Sequence, residues 1–515
     1  MEVVGLDLSP FTLTLLLIVG LVFLSLCYDW WCHQYFQRRG VPVADYIPIF
    51  GSSYKFSEGF HLAMEDFVKE KGKVVGMYEF RRPILLINDP DVIKKVLVKN
   101  FNHFCNRRVF PLLIPPLTRG LSMLANEEWK DVRNILSPTF SAVKMKKMSV
   151  LINECCERLV SGFDRAQEGG TPVECRELFG GYTLDVIARC GFGLQVNVQD
   201  KDDPFVNNAK KVFDFGNANP GVALAMVFPP LVPLLKWMNV TIVDQSAIDY
   251  LKEVAEEALK MRKEGEGTSK NIDLLQLMLN AHNDTELDQG DVDSVVKSKG
   301  KGTRQHKPLS NEDVQAQAIT FFTAGMETTS TLLSLTAYLL AMNQDIQEKL
   351  HAEIDNLAPT GDSLGYDVIP KMEYLDMVIS ESLRLYPPAV FLERLCNETI
   401  RLDEFTVEKG LCVFVSIWAL HYSPEYWQNP AKFDPERFSA ENKANIKPCT
   451  YMPFGFGPRN CIAMRFALLE TKMALVHVMQ KFRFDVCSKT EIPPTLSKYG
   501  FISPKSVLLS AVPRI

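Results

Sequence analysis

The hydrophobic pattern breaks the chain into unequal parts. Phe11 to Cys27 is an uncharged apolar run, long enough as a helix to approach a membrane span. Glu2 and Asp7 precede it and Arg38 and Arg39 follow it, a charge bias that places the bulk of the chain on the cytosolic side. Trp30, Trp31 and Tyr35 fit an interfacial aromatic belt. A cleaved signal peptide is the competing reading, with Ser25-Leu26-Cys27 as its small-residue site; the lack of Lys or Arg ahead of the run argues against it. The expected organisation is therefore a membrane anchor over 1–28, a short linker over 29–53 and one large domain over 54–515. In that domain, alternation predicts strands at Val74 to Phe80 and Pro83 to Ile87. From about Asp89 onward helical periodicity dominates, so the predicted class is mainly α with smaller β-sheets (α+β).

Two later segments stand out. Leu224 to Met238 is strongly apolar but broken by Pro229, Pro230 and Pro233, so it cannot span a bilayer as a helix. A loop dipping into a membrane face and a buried core segment are equal readings. His282 to Leu309 is polar and reads as a surface linker. Ser310-Asn311-Glu312-Asp313 then opens a helix with a capping-box pattern. No proline interrupts it before Asn343, so it forms a rod of roughly 50 Å, a plausible wall for a buried site.

Composition narrows the function classes. Of 515 residues, 47% are apolar and 23% charged, ordinary for a protein with a large core. The net charge of −6 gives no electrostatic footprint for nucleic acid. Twelve cysteines without a CxxC pair argue against a zinc site, an iron–sulfur cluster or a disulfide scaffold. No GxGxxG follows a strand, which leaves nicotinamide and flavin to a partner.

One cysteine is different. Cys461 ends the run Phe454-Gly455-Phe456-Gly457-Pro458-Arg459-Asn460, whose glycines and proline force a tight loop, and a helical pattern follows. Backbone donors, a helix N-terminus and one arginine favour a thiolate, a good axial ligand for haem iron. Within the long helix lies Ala324-Gly325-Met326-Glu327-Thr328. Gly325 costs about 1 kcal/mol there against Ala. Close helix packing would explain it; so would room beside the helix, with Glu327 and Thr328 relaying protons. Glu381 and Arg384 share a helix face, and Arg437 in Pro435-Glu436-Arg437-Phe438 offers a second cation for the same carboxylate. Trp129 and Arg133, one helical turn apart, join Arg107, Arg394 and Arg459 as donors that would suit the two propionates of haem if they converge.

These four motifs, in this order and spacing, resemble those of the cytochrome P-450 family over nearly the whole chain. Asn106-Arg107-Arg108, Glu128-Trp129-Lys130 and Ser137-Pro138-Thr139-Phe140 are most similar to its microsomal branch of drug- and steroid-oxidising enzymes and thromboxane synthase. The resemblance implies the cytochrome P-450 fold with a single N-terminal transmembrane helix. It implies haem with Cys461 as axial thiolate and Phe454 packed on the cysteine side. Arg107, Trp129, Arg133, Arg394 and Arg459 would hold the propionates. Ala324, Gly325, Glu327 and Thr328 would form the oxygen groove and proton relay, and Glu381, Arg384 and Arg437 a structural triad. A looser carry-over puts Ser122, Met123, Thr323 and Ala389 in the substrate pocket.

The activity implied is a monooxygenase of the endoplasmic reticulum membrane. It would insert one oxygen atom from O2 into an apolar xenobiotic, steroid or fatty-acid-like molecule. Electrons would come from NADPH through cytochrome P-450 reductase, with cytochrome b5 as a further donor. Lys130, Lys144, Lys146 and Lys147 are candidates for docking the reductase; a solvated helix face is the commoner meaning of such lysines. A haem-thiolate isomerase or lyase acting on a lipid peroxide is the first alternative, and a non-enzymatic haem-binding protein the second. The pattern departs from the family at Ala463, where Gly is usual, and in a thin proline hinge after the anchor.

Overall fold

The computed structural model describes residues 10–514 apart from 171, 195, 197–202, 213–219, 264–274, 276–308 and 360–363. The polar stretch expected as a surface linker lies, but for Leu309, outside the described residues. The class is as expected: long helices carry the chain, and three small sheets flank them.

The N-terminal helix α1 covers Pro10–His33. Its apolar window is wholly exposed, and it is long and apolar enough to cross a membrane. It runs past Cys27 to His33, where the chain docks on the body. Asp29 is buried; it accepts from Arg81 Nε at 3.0 Å and from the Ile49 amide at 3.0 Å. Tyr78 donates its hydroxyl to the His33 carbonyl at 2.7 Å. The thin proline hinge thus coincides with a fixed polar contact between α1 and the sheet.

The expected strands are β1, Val74–Glu79, and β2, Arg82–Ile87. They join β4, Phe391–Leu395, and β7, Cys412–Ser416, in a sheet ordered β1-β2-β7-β4. β2 pairs in parallel with β7, and the other two pairings are antiparallel. Between β4 and β7 lies the hairpin of β5, Ile400–Leu402, and β6, Phe405–Val407. The third sheet is β3-β9-β8, from Val173–Glu174, Leu508–Pro513 and Phe482–Asp485.

Six further helices position the site: α2 (Asn126–Leu136), α3 (Ala142–Glu168), α4 (Cys175–Ile187), α5 (Asn311–Met342), α6 (Glu373–Leu385) and α7 (Met464–Lys481). The predicted start of α5 is correct to the residue. Ser310 caps it, and Ser310 and Asp313 form the reciprocal capping box. At 32 residues it crosses the molecule. One apolar cluster packs around α3, α6 and α7, a second around α2, the N-terminal half of α5 and Gln245–Lys263. Phe321 and Ile462 touch both, so α5 and the cysteine loop meet at their junction.

The proline-broken apolar segment folds as the short helices Pro220–Val227 and Val232–Trp237 around Pro229–Leu231. Leu224, Phe228, Leu234, Met238 and, at 81% accessibility, Trp237 are exposed. The segment thus presents an apolar surface, with only Ala225 and Leu235 covered in a small cluster with Leu112.

Candidate active site

The cysteine loop is held from both ends of its turn. Gly455 and Gly457 have φ of 75° and 79°, the left-handed region that a side chain disfavours. A Cβ on Gly457 would sit 2.3 Å from the Leu97 carbonyl oxygen. The Cys461 amide donates to the Phe454 carbonyl at 2.9 Å, closing the loop. Arg133 grips it from α2, donating from Nη1 to the Asn460 carbonyl and from Nη2 to the Asn460 side-chain oxygen, both at 2.8 Å. Phe454 packs against the α7 side of the core.

Cys461 retains accessible surface, yet the protein around it is dense enough that burial pushes its thiol up. The Ala463 N–H, Arg133 and Arg107 pull the other way. The acidifying groups expected from the sequence are therefore present, with one adjustment. Helix α7 starts at Met464, so the thiol meets a single amide ahead of the helix. Ala463 is its N-cap, with φ −94° and ψ 14°, a conformation open to any L-residue. Its methyl packs against the core, so the departure from Gly imposes no backbone strain.

Helix α5 comes to the loop at the junction of the two apolar clusters. Ala324 is exposed although Phe322 and Met326 beside it are buried. Thr328 Oγ1 donates to the Ala324 carbonyl at 2.7 Å, diverting that acceptor within the helix. Glu327 pairs with Arg176 of α4 at 3.0 Å. Gly325 has its reason in packing: a Cβ there would lie 2.9 Å from Ile187 Cδ1. Close helix packing thus accounts for the glycine, and the acid–alcohol pair stands beside it.

The five candidate anion holders lie near one another, but Arg133 gives both Nη groups to Asn460 instead of leaving them free for an anion. Arg394 on β4 is buried, donates from Nη1 to the Glu393 carbonyl at 2.7 Å, and has no partner for Nε. Arg459 donates to the carbonyls of Cys105, Ser122 and Leu124, and its Nε is likewise unpartnered. Burial, then Arg107, bring both guanidiniums down to about 9, with Arg459 adding to the effect on Arg394 and Arg133 to that on Arg459. Arg107 is lowered by burial too, and its side chain has no hydrogen bond or ion pair among the described residues. Trp129 stacks beneath Arg459, 4.9 Å from ring centroid to guanidinium carbon. Repelling, buried and under-partnered cations need anions. The two propionates of a haem would satisfy that need, with Cys461 available as its ligand, so these residues fit haem.

The neighbouring Arg108 does something else. It is held by Glu79 and by Glu393, the latter at 2.8 Å, in a closed ion-pair set. Glu381 is the anchor of the triad. Its two oxygens accept from Arg384 Nε and Nη2 at 2.7 Å each, from Arg437 Nε at 3.3 Å and from the Asp434 amide at 3.1 Å. A missed residue, His421, ties this lock to the cysteine loop. Its Nδ1–H donates to the Arg384 carbonyl at 3.0 Å, and its Nε2 accepts from the Met452 amide at 3.1 Å. Burial, then Arg384, lower it to about 3, and the acceptor role of Nε2 fixes the neutral tautomer.

The four looser pocket candidates are partly buried: Ser122 and Met123 on the loop before α2, Thr323 on α5 and Ala389 ahead of β4. Gln317, fully buried on α5, holds that loop by donating to the Arg119 carbonyl at 2.8 Å and accepting from the Leu121 amide at 2.7 Å. Nothing in its sequence neighbourhood signals this. Arg108, Arg176, Gln317 and His421 pair with residues far along the chain, so spacing alone does not find them.

The model of the family described as Cytochrome P-450 matches residues 41–509. Cytochrome P-450 3A9 of Rattus norvegicus is 41% identical over 501 residues, 97% of this chain and 96% of that protein. Cytochrome P-450 3A29 of Sus scrofa is 40% identical over 505 residues, and cytochrome P-450 3A7 of Homo sapiens 39% over 506. Each of those two alignments covers 97% of this chain and 96% of the relative.

Proposed function

Since the chain belongs to the cytochrome P-450 family and is a haem-thiolate monooxygenase, we propose that Cys461 is its axial ligand and that its substrate is an apolar small molecule. The observation that carries the assignment is the pair of buried, under-partnered guanidiniums of Arg394 and Arg459 beside Arg107, which in turn lies near the Cys461 thiol. Haem, once bound, supplies the chemistry that puts one atom of O2 into substrate and the other into water. The chain supplies the rest. Arg107, Arg394, Arg459 and the Trp129 indole N–H would hold the propionates, while Arg133 fixes the ligand loop through Asn460.

Glu327 holds a proton-exchanging carboxylate beside the distal space, kept in place by Arg176. Thr328 Oγ1 passes protons from that side toward the Ala324 groove. Ser122, Met123, Thr323 and Ala389 shape the apolar pocket, in which small side-chain changes shift selectivity by about 1–3 kcal/mol. Electrons come from NADPH through a membrane-bound reductase, with cytochrome b5 as a second donor. Of the candidate docking lysines, Lys146 already pairs with Asp367 at 2.7 Å and Lys130 with Glu127 at 3.9 Å, which leaves Lys144 and Lys147 the better placed. The anchor at 1–28 holds the domain at 54–515 on the cytosolic face of the endoplasmic reticulum.

Reduced protein under carbon monoxide should give the red-shifted thiolate band, lost in Cys461→Ser; an unshifted band would remove the ligand assignment. NADPH-dependent turnover with reductase, screened across steroids, fatty acids, eicosanoids and xenobiotics, then tests oxygen activation. Turnover of a lipid peroxide without reductase, and none with it, would transfer the assignment to the isomerase reading.

A further inference from the structure

A second site lies where α1 leaves its apolar run. A cleft of about 880 Å³ opens between the end of α1, the β1–β2 turn and the apolar segment Met226 to Pro230. Arg38, Arg39, Arg81 and Arg82 line it, against one carboxylate, Glu408. Arg39 is taken by Glu408 at 2.5 Å, and Arg81 by Asp29 at 3.0 Å and Ser25 at 2.7 Å. Arg38 and Arg82 are exposed and have no ion-pair partner among the described residues. The cleft therefore carries uncompensated positive charge on two guanidiniums, whose planar forks match phosphate oxygens.

The opposite wall is apolar. Phe228 is 40% exposed, and the Arg81 guanidinium sits 5.5 Å from its ring and 5.7 Å from that of Tyr28, bridging the two walls. Trp31 flanks the cleft beside Arg38. Its location matters as much as its lining. Phe11 to Cys27 provides the hydrocarbon-spanning part of α1, and the cleft starts at Tyr28, at headgroup depth. The apolar wall continues into exposed Leu224, Leu234 and Trp237, a surface suited to acyl chains. A free phosphate would use only the arginine half; an amphipathic ligand uses both.

We propose that this cleft binds one anionic phospholipid, its phosphate on Arg38 and Arg82 and its acyl chains along Phe228 and the 224–237 surface. The lipid would fix the tilt of the body on the membrane, because the buried Asp29–Arg81 contact ties α1 rigidly to the sheet. The inference rests on α1 lying in the bilayer, and the experiment separates the two.

Full-length haem-loaded protein is reconstituted into vesicles of phosphatidylcholine alone or with phosphatidic acid. Flotation is scored first, then the phosphatidic acid retained per chain after mild detergent extraction. The expected result is saturable retention of one anionic lipid per chain. It should fall at least about tenfold in R38E/R82E, given the strength of juxtamembrane basic residues for anionic lipid. It should be unchanged in K489E/K505E, two exposed lysines elsewhere. An unchanged carbon monoxide band checks that the variants fold. Retention that does not saturate, or that both variants lose equally, would mean diffuse attraction and overturn the site. Complete displacement by inorganic phosphate would make it a free-phosphate site and overturn the lipid. Flotation on neutral vesicles without selective retention would sink the site alone, whereas failure to float at all would sink the anchor reading beneath it.

Discussion

His421 gives the most demanding test of how the ligand loop is held. Phe in its place keeps the ring volume and removes both nitrogens. The Arg384 carbonyl and the Met452 amide then lose their partners in the interior, where His421 is 0% accessible. Each unsatisfied buried group costs about 1–3 kcal/mol, so His421→Phe should destabilise by about 4 kcal/mol near neutral pH. The penalty should shrink in acid. His421 titrates near 6.5 unfolded and about 3 folded, so below pH 6.5 the unfolded chain binds the extra proton and wild-type stability falls with pH. The loss from this group begins at pH 6.5 and is complete near pH 3. One pH unit is worth about 1.4 kcal/mol, so the gap between wild type and His421→Phe should narrow by about 2 kcal/mol between pH 7.5 and pH 5.

His61, His351 and His477, each lowered to about 4, contribute equally to both proteins and cancel. Urea titrations of the full-length protein at a series of pH values measure the gap. Amide exchange at Met452 and along the loop to Cys461 locates it. A gap below about 1 kcal/mol at pH 7.5, or one that stays constant to pH 5, would refute the assignment of His421 as a neutral bridge.

Other outcomes follow from the same geometry. Gly457→Ala places a methyl against the Leu97 carbonyl and demands a positive φ, so it should cost about 2 kcal/mol or more and leave protein without the thiolate band in carbon monoxide spectra. Arg394→Met should have opposite effects in the two forms. Apoprotein should gain thermal stability, because a buried under-partnered cation is removed, while transfer of haem to an acceptor protein should speed several-fold. Thr328→Ala should keep the thiolate band but divert electrons to peroxide, read as a lower ratio of product to NADPH consumed; unchanged coupling would count against the relay.

The anchor, the two strands of the β1–β2 hairpin, the start of α5 at Ser310 and the reactive cysteine were all legible in the sequence. Each depends on near neighbours: an uncharged run, an alternation, a capping box, or two glycines and a proline around Cys461. The triad was legible as a pattern, since Glu381 and Arg384 lie one turn apart, though its closure needed Arg437 from a distant segment. Local order could not say which of two equal readings held for Leu224 to Met238. Its exposure depends on what packs against it: Ala225 and Leu235 are covered in a small cluster with Leu112, and the rest of the segment faces outward.

Arg107 and Arg108 show the limit most clearly. As adjacent residues of one type they are indistinguishable in the chain. The structure turns Arg108 toward Glu79 and Glu393, where its charge is neutralised, and leaves Arg107 unpaired near Cys461. That choice was made by β1 and β4 being brought together in one sheet, hundreds of residues apart in sequence. His421 and Gln317 were hidden for the same reason, because their partners are supplied by the fold. The sequence by itself determined the apolar N-terminal helix and the glycine-bounded cysteine loop, and it marked Glu327 and Thr328 as relay candidates, all from short-range patterns. Only the tertiary structure decided which charges find partners and which remain to meet haem.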